Sequence, residues 1–336
     1  MCKGKVRNQM KIEMDRLPLA NLPTRIDMLK ARPAGNGTQL FIKRDDETGI
    51  ELSGNKVRKL EYSLAEALAQ GCDTIITAGG VQSNHCRATA AACVRLGLEC
   101  VLILASDEKQ PLDGNYLMDE LFGATILFIP AETFATQLAE VMRDVQEELK
   151  AESRMPYLIP VGASNGIGTF GYFHAFEEIL EQEKELGISF DTIVCAVGSG
   201  GTYAGLALAN KVRKADKKII GVNISANREH FEQRVLGLSR QFMEYYGDFS
   251  FGLEDIHILD GYVGRGYALS SEGELSFISQ FARTEGIILD PVYTGKAMGG
   301  LMQELKERSP FFAGSKKILF IHTGGIFGLF PKRHQF

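Results

Sequence analysis

The sequence predicts an α/β fold with two open, doubly wound, mostly parallel sheets and the active site between them. Short β-rich runs recur along the 336 residues, several of them apolar throughout, as strands covered on both faces must be. Helical patterns stand between them, the alternation that builds parallel sheets. The runs are too many for one small sheet, so a second sheet is expected, with a ligand site where the two meet.

Gln39–Arg44 is the first candidate strand. Val57, Leu60, Leu64 and Leu68 then repeat three and four residues apart, a helical face that stops at Gly71. Thr74–Ala78 reads as a strand, Arg87–Leu96 as a helix closed by Gly97, and Cys100–Ala105 and Thr125–Pro130 as strands. A helix over 133–150 leads to strand Tyr157–Val161, and one over 170–186 to strand Thr192–Val197. The turn after Val197 opens another helix, followed by strand Ile219–Ile224. Segments 228–246, 271–285 and 296–308 are helical, and Ile318–His322 is the last strand.

Composition narrows the function. A net charge of -5 and no basic stripe argue against a nucleic-acid partner. The apolar runs fall far short of the ~20 residues a bilayer span needs, so no membrane is expected. The first eleven residues carry Lys3, Lys5, Arg7 and Lys11 without an acid or an apolar core, and read as a solvated tail. The six cysteines (2, 72, 86, 93, 100 and 195) form no CxxC pair. Free thiols in a reducing cytoplasm are expected, with no metal site. Cys86 and Cys93 fall on one side of a helix, where packing against a sheet explains them.

Ligands of open α/β sheets bind beyond the carboxyl ends of the strands. Four such ends are rich in glycine and small polar residues: 79–85 (GGVQSNH), 162–166 (GASNG), 198–202 (GSGGT) and 323–325 (TGG). One glycine turn is weak evidence, because tight turns need glycine anyway. Four at equivalent places point to one shared ligand. GSGGTYAG, between a strand and a helix, offers backbone N–H groups for a phosphate. A dinucleotide fingerprint fits poorly: Tyr203 stands where a third small residue belongs, and the next strand ends Asn223-Ile224-Ser225 without an acid. Arg228 keeps an NADP-linked oxidoreductase open as an alternative. A P-loop is excluded, since no Gly-Lys-Ser/Thr follows the glycines. Pyridoxal phosphate suits a monophosphate cradle better, and it needs one positioned lysine.

SGNKVRKLE, residues 53–61, offers that lysine beside a turn. Lys56, Arg58 and Lys59 crowd the end of a helix whose dipole repels cations. Taken alone they read as a solvated face, which charge runs usually are. Asp45 and Asp46 read as a plain turn, Ser83 and Asn84 as helix N-caps, Tyr267 and Tyr293 as packing aromatics, and His85 and His322 as structural.

FIKRDDETGIELSGNKVRKLE, TAGGVQSNHCRATA, YLIPVGASN, GSGGTYAGL, ILDPVYTGKAMGG and ILFIHTGG together resemble the D-cysteine desulfhydrase and 1-aminocyclopropane-1-carboxylate deaminase family. The likeness runs in order from about residue 15 to 330. It implies a fold-type-II pyridoxal-phosphate enzyme similar to the tryptophan synthase β subunit. A larger cofactor-binding domain would comprise 15–56 and 166–336, a smaller one 57–165, and a tail 1–14. By the same resemblance Lys56 would bond the cofactor's aldehyde, Lys59 would reach the phosphate and Asn84 the ring hydroxyl. Gly198, Ser199, Gly200, Gly201 and Thr202 would hold the phosphate. Ser83, Tyr267 and Tyr293 would face the substrate. Thr294 and Thr323 would also bind the cofactor, Thr294 by a hydrogen bond beside its ring nitrogen; they stand where the deaminases carry Glu and Leu, the pattern of the desulfhydrase branch.

The expected activity is therefore β-elimination of D-cysteine to pyruvate, ammonia and hydrogen sulfide. Lys56, freed as an amine in a dry pocket, would remove the Cα proton. Thiolate leaves readily, so a neutral threonine would suffice where a deaminase needs glutamate. Related readings are an L-cysteate sulfo-lyase, the deaminase itself, or a cofactor-binding regulator without turnover. The resemblance also implies a homodimer acting on a small amino acid.

Overall fold

A computed structural model describes residues 14–31, 37–108 and 110–336. The basic stretch from Lys3 to Lys11 lies outside the described residues. In chain order the elements are β1 (Ile26–Met28), β2 (Gln39–Lys43), α1 (Asn55–Ala69), β3 (Thr74–Gly80), α2 (Asn84–Leu96) and β4 (Glu99–Ala105). Then come α3 (Gly114–Leu121), β5 (Thr125–Ile129), α4 (Ala131–Ala151), β6 (Pro156–Leu158), α5 (Gly166–Leu186) and β7 (Thr192–Val197). The last are α6 (Gly201–Arg213), β8 (Lys218–Asn223), α7 (Arg228–Tyr246), β9 (His257–Leu259), α8 (Glu272–Glu285), α9 (Thr294–Glu307) and β10 (Lys317–Ile321).

Two sheets form, as expected. One has the order β5-β4-β3-β6 and is parallel throughout; the other has the order β1-β2-β10-β7-β8-β9 and is parallel except for β1. Strand residues alternate between two faces. In the smaller sheet Ile75, Leu102 and Leu104 pack toward α1 and α2, while Ile76, Ala78, Val101 and Ile103 meet α4. In the larger sheet Ile193, Cys195, Val197 and Leu319 join α5, α6 and α7, and Val194, Ala196, Ile318 and Phe320 join α8 and α9. Both sheets are thus covered on two sides, which is why their strands read as apolar runs. Cys86, Cys93 and Cys100 pack in a single core.

β1, β9 and α3 were not expected, and all are short. The two strands have three residues each, too few to show a period. α3 is capped by Asp113, whose Oδ1 accepts the Gly114 N–H at 2.8 Å. The expected strand Tyr157–Val161 is cut to Pro156–Leu158, because the chain turns after Pro160 into a short 3-10 turn, Val161–Ala163. Two helices begin earlier than their apolar patterns. α2 starts at Asn84, capped by the Ser83 hydroxyl on the Cys86 N–H at 3.2 Å. α1 starts at Asn55, so all three cations of SGNKVRKLE lie in its first turns.

Those cations are not a solvated face. Arg58 is buried and forms two bonds to Asp45, Nε to Oδ2 at 2.9 Å and Nη2 to Oδ1 at 2.8 Å. Its Nη1 reaches Glu178 Oε2 of α5 at 2.9 Å. Lys43 of β2 donates to Glu178 at 2.6 Å and to Gln182 at 2.7 Å, while Thr24 and Tyr172 donate to Asp45 at 2.7 and 2.5 Å. The reading of Asp45 as a plain turn residue is corrected: its buried carboxylate accepts from three parts of the chain, at Thr24, Arg58 and Tyr172. Asp46 instead pairs with Arg44 at 2.6 Å. α5 lies close enough to supply these groups because residue 171 is glycine; a Cβ there would stand 2.4 Å from the Arg58 carbonyl oxygen.

Candidate active site

Gly54 precedes α1 with φ +100°, and a Cβ on it would lie 2.8 Å from the Thr323 carbonyl oxygen. The next N–H, of Asn55, donates to that same oxygen at 3.1 Å. The start of α1 is therefore fixed to the end of β10, and Lys56 projects into a cavity of about 220 Å³ between the two sheets. All four glycine-rich turns reach this cavity, through Gly79 and Gly80, Gly162, Gly198 to Gly200, and Thr323. Ser83, Asn84, Thr202, Tyr267 and Tyr293 line it as well. The turns lie apart in sequence and converge here because each follows the carboxyl end of a parallel strand.

Lys56 Nζ donates to Asn55 Oδ1 at 2.9 Å and sits 5.7 Å from the centre of the Tyr293 ring. Burial pushes its ammonium down to about 8, with the Asp290 carboxylate partly offsetting that and Arg87 adding to it. Asn55 Nδ2 in turn donates to Thr202 Oγ1 at 2.9 Å, which joins the lysine to the glycine loop. Tyr293 and Tyr267 touch through their hydroxyls at 2.5 Å. Burial holds both phenols above their ordinary range, so they remain protonated.

Lys59 points away from Lys56, behind the loop. Its Nζ donates to Ser164 Oγ at 3.2 Å, and Ser164 Oγ lies 2.7 Å from Ser199 Oγ. A Cβ on Gly201 would stand 2.7 Å from Ser164 Oγ and 3.2 Å from Lys59 Nζ, so the glycine lets the ammonium approach the N-terminus of α6. Burial, then Lys56 and Arg234, hold Lys59 well below the usual ammonium range. No carboxylate pairs with it among the described residues.

Besides Lys59, two expected site residues stand off the cavity wall. Gly201 backs the loop rather than lining the cavity. Thr294 is buried with its hydroxyl engaged on both sides: it donates to Asp290 Oδ1 at 2.7 Å and accepts the Asp290 N–H at 2.8 Å. Asp290 caps the start of α9 and binds the threonine in doing so. Thr323, the other branch-marking position, does line the cavity.

The sequence reading missed Asn55, Ser164 and His85. Asn55 and Ser164 stand inside motifs already singled out, beside Lys56 and within the GASN turn. His85, read as structural, both lines the cavity and is buried. Thr77 donates its hydroxyl proton to the Ile159 carbonyl at 2.7 Å, so at 2.8 Å from His85 Nε2 it must accept. Nε2 therefore carries the ring proton and Nδ1 is a bare acceptor without a protein partner. Burial, with Lys56 and Lys59 adding, keeps the ring neutral. His322 fits its structural reading, with Nε2 at 3.0 Å from the Ile288 carbonyl and Nδ1 accepting the Gly324 N–H.

An enclosed ammonium without an acid, a glycine loop at a helix N-terminus and a separate lysine of lowered pKa suit a ligand carrying both a phosphate and a carbonyl. Pyridoxal phosphate has both groups. Lys56 would take its aldehyde, residues 198–202 and Lys59 its phosphate, and Asn84 a polar group of its ring.

Comparison with known proteins agrees. Residues 17–324 match the family described as "Pyridoxal-phosphate dependent enzyme". A bifunctional D-cysteine desulfhydrase/1-aminocyclopropane-1-carboxylate deaminase of Arabidopsis thaliana is 44% identical over 94% of this chain and 80% of its own. A D-cysteine desulfhydrase of Yersinia enterocolitica is 39% identical over 96% and 97%. The crystal structure of an ACC deaminase homologue superposes with a TM-score of 0.87 at 38% identity, covering 96% of this chain and 95% of that one.

Proposed function

The chain belongs to the pyridoxal-phosphate-dependent enzyme family, and from that premise we propose that it is a carbon–sulfur lyase that eliminates sulfide from D-cysteine. The observation that carries this choice is the absence of a carboxylate from the cavity around Lys56, Asp107, Glu108 and Asp290 lining only the space that adjoins it. A cyclopropane-opening deaminase needs an acid to keep the cofactor's ring nitrogen protonated, whereas a thiolate leaves without that help. The position that would supply the acid is Thr294, turned onto Asp290. Relatives named D-cysteine desulfhydrase support the reading, and the NADP-linked alternative is set aside by the family match.

Pyridoxal phosphate supplies, when bound, an electron sink for a bond at Cα of an amino acid. This chain's residues then divide the work. Ser83 Oγ accepts the Cys86 N–H, so its own proton is free for the substrate carboxylate at the N-terminus of α2. Lys56 Nζ, a neutral amine above pH ~8, takes the Cα proton. The Cβ–S bond breaks with its electron pair on sulfur, which leaves as sulfide. Tyr293 and Tyr267, both protonated, orient the substrate and hold a proton near the departing group. The unsaturated amine that is released takes up one water to give pyruvate and ammonia, which balances the reaction. We read the working enzyme as a cytoplasmic homodimer acting on a small amino acid, in keeping with the free thiols Cys72, Cys86, Cys93, Cys100 and Cys195.

Release of sulfide from D-cysteine and L-cysteine, of sulfite from L-cysteate and of 2-oxobutyrate from aminocyclopropane carboxylate, assayed side by side, tests the reading. Sulfide with D-cysteine as the best substrate is expected. 2-Oxobutyrate from the cyclopropane at a greater rate would sink it. The uptake of pyridoxal phosphate by cofactor-stripped protein should also depend on pH. Only the neutral amine of Lys56 attacks an aldehyde, so the rate should rise about tenfold per pH unit below ~8 and level off above it. A stopped-flow pH series checks this, and a flat profile from pH 6 to 9 would contradict it.

A further inference from the structure

Tyr267 sits on the loop between β9 and α8, residues 260–271, outside any strand or helix. Gly266 has φ +131°, and Ala268 has φ +59°, a left-handed conformation that alanine rarely adopts. Two long backbone bonds flank the tyrosine, Gly266 N–H to Val263 at 3.3 Å and Leu269 N–H to Gly266 at 3.2 Å. Yet its hydroxyl meets that of Tyr293 at 2.5 Å. A buried cation holds the backbone for that contact. Lys296 of α9 is 3% exposed, and its Nζ donates to the Val263 carbonyl at 2.6 Å and the Gly266 carbonyl at 2.8 Å. The Gly266 carbonyl belongs to the same peptide unit as the Tyr267 N–H. Glu274 Oε1 stands 3.9 Å from this ammonium, beyond a hydrogen bond, while its Oε2 accepts the Ser271 N–H at 2.6 Å. On the other side of Tyr267, Lys332 of the 3-10 segment Ile326–Gln335 donates to the Ala268 carbonyl.

We infer that Lys296 is a positioning residue of the reaction: an internal cation whose bonds to two loop carbonyls set Tyr267 against Tyr293 on the substrate side of the cavity. The inference rests on the reading of those tyrosines as the substrate's partners, and assigns what holds them together. Lys296 follows Tyr293 by one turn at the start of α9. One short stretch of helix therefore carries Tyr293 itself and the ammonium that fixes the backbone of Tyr267. Burying an ammonium is costly unless N–H bonds replace its water. A fold that needed only bulk here would be served by methionine, whereas a loop with two carbonyls turned toward position 296 would not. A cavity of about 240 Å³, lined by Gly261, Gly264, Glu274 and Gly299, adjoins Lys296 and gives a small cation a way in when the side chain is cut back.

Hydrogen exchange followed by mass spectrometry is the first test, and it needs no turnover. In Lys296→Met the amides of 260–271 should exchange about tenfold faster than in the wild type, with the strands of both sheets unchanged. Unaltered exchange in the loop overturns the inference, and exchange raised throughout the chain means a structural role only and overturns it too. The second test is turnover of D-cysteine. Lys296→Met should keep the absorbance band of the lysine-bound cofactor and lose kcat by about 10- to 100-fold, the cost of a group misplaced by about an ångström. Lys296→Ala should lose as much, and recover part of the rate with methylammonium, whose N–H groups can bond the two carbonyls. Tetramethylammonium at the same ionic strength has no N–H and should restore nothing. Full turnover in Lys296→Met overturns the inference, as does a loss shared with the cofactor band or one that both cations restore equally. A wild type that releases no sulfide refutes the lyase reading instead, and the exchange comparison then decides this one.

Discussion

Lys56→Ala is expected to fold as the wild type does and to lose turnover by about 10⁴-fold or more, the upper range for removing a positioned general base. The two halves of this result have different causes. Lys56 makes one hydrogen bond, to its neighbour Asn55, and its ring contact with Tyr293 is at 5.7 Å, so little packing depends on it. Chemically nothing replaces it. Among the residues lining the cavity it is the single lysine, and Lys59 is turned behind the glycine loop onto Ser164. The absorbance band of the lysine-bound cofactor should vanish, sulfide release should fall to background, and the thermal transition should stay put. A variant that kept the band would show that another amine carries the cofactor.

Asp45→Ala has the largest expected effect on stability, about 3–5 kcal/mol, the range for removing one partner of a buried ion pair. It would leave Arg58 and Lys43, both buried, with Glu178 alone between them, and strip Tyr172 and Thr24 of their acceptor. Chemical denaturation measures the loss; a change below about 1 kcal/mol would mean the network adds nothing beyond an exposed pair. Burial alone would raise the Asp45 carboxyl, but Arg58 and then Lys43 more than reverse this and hold it below the usual carboxylate range. A lowered carboxyl contributes stability above its ordinary range and loses it as the pH falls through the lowered value. Wild type should therefore lose more stability on acidification than Asp45→Asn does. Because Arg58 stands two residues from Lys56, the same variant should also loosen the start of α1.

The contrast between these two residues shows what could be read from the chain. Lys56 was legible because its signal is local: a lysine beside a glycine turn, in a stretch that resembles a family. The glycine turns were legible for the same reason, since each marks its own strand end. Asp45 and Arg58 were not, because the pair closes only when Glu178 and Tyr172 arrive from a helix more than a hundred residues away. A cation's partner is a property of packing, and the same three letters at the start of α1 face a cavity, an ion network and a loop. Thr294 makes a related point: the motif marks its position, and only the fold shows that Asp290, four residues earlier, takes its hydroxyl.

The position of β10 in the larger sheet bears on how the protein is made. This last strand lies between β2 and β7, pairing with both, and its end holds Gly54 and Asn55 in place through Thr323. The smaller sheet comes from one unbroken stretch and has all its strands once β6 is synthesised. The larger sheet, by contrast, keeps β2 and β7 unjoined until β10 is made. Lys56 is made long before that strand, yet it gains its working surroundings only after it. A nascent chain stalled before β10 would carry every residue of the catalytic turn and still be unable to hold a cofactor.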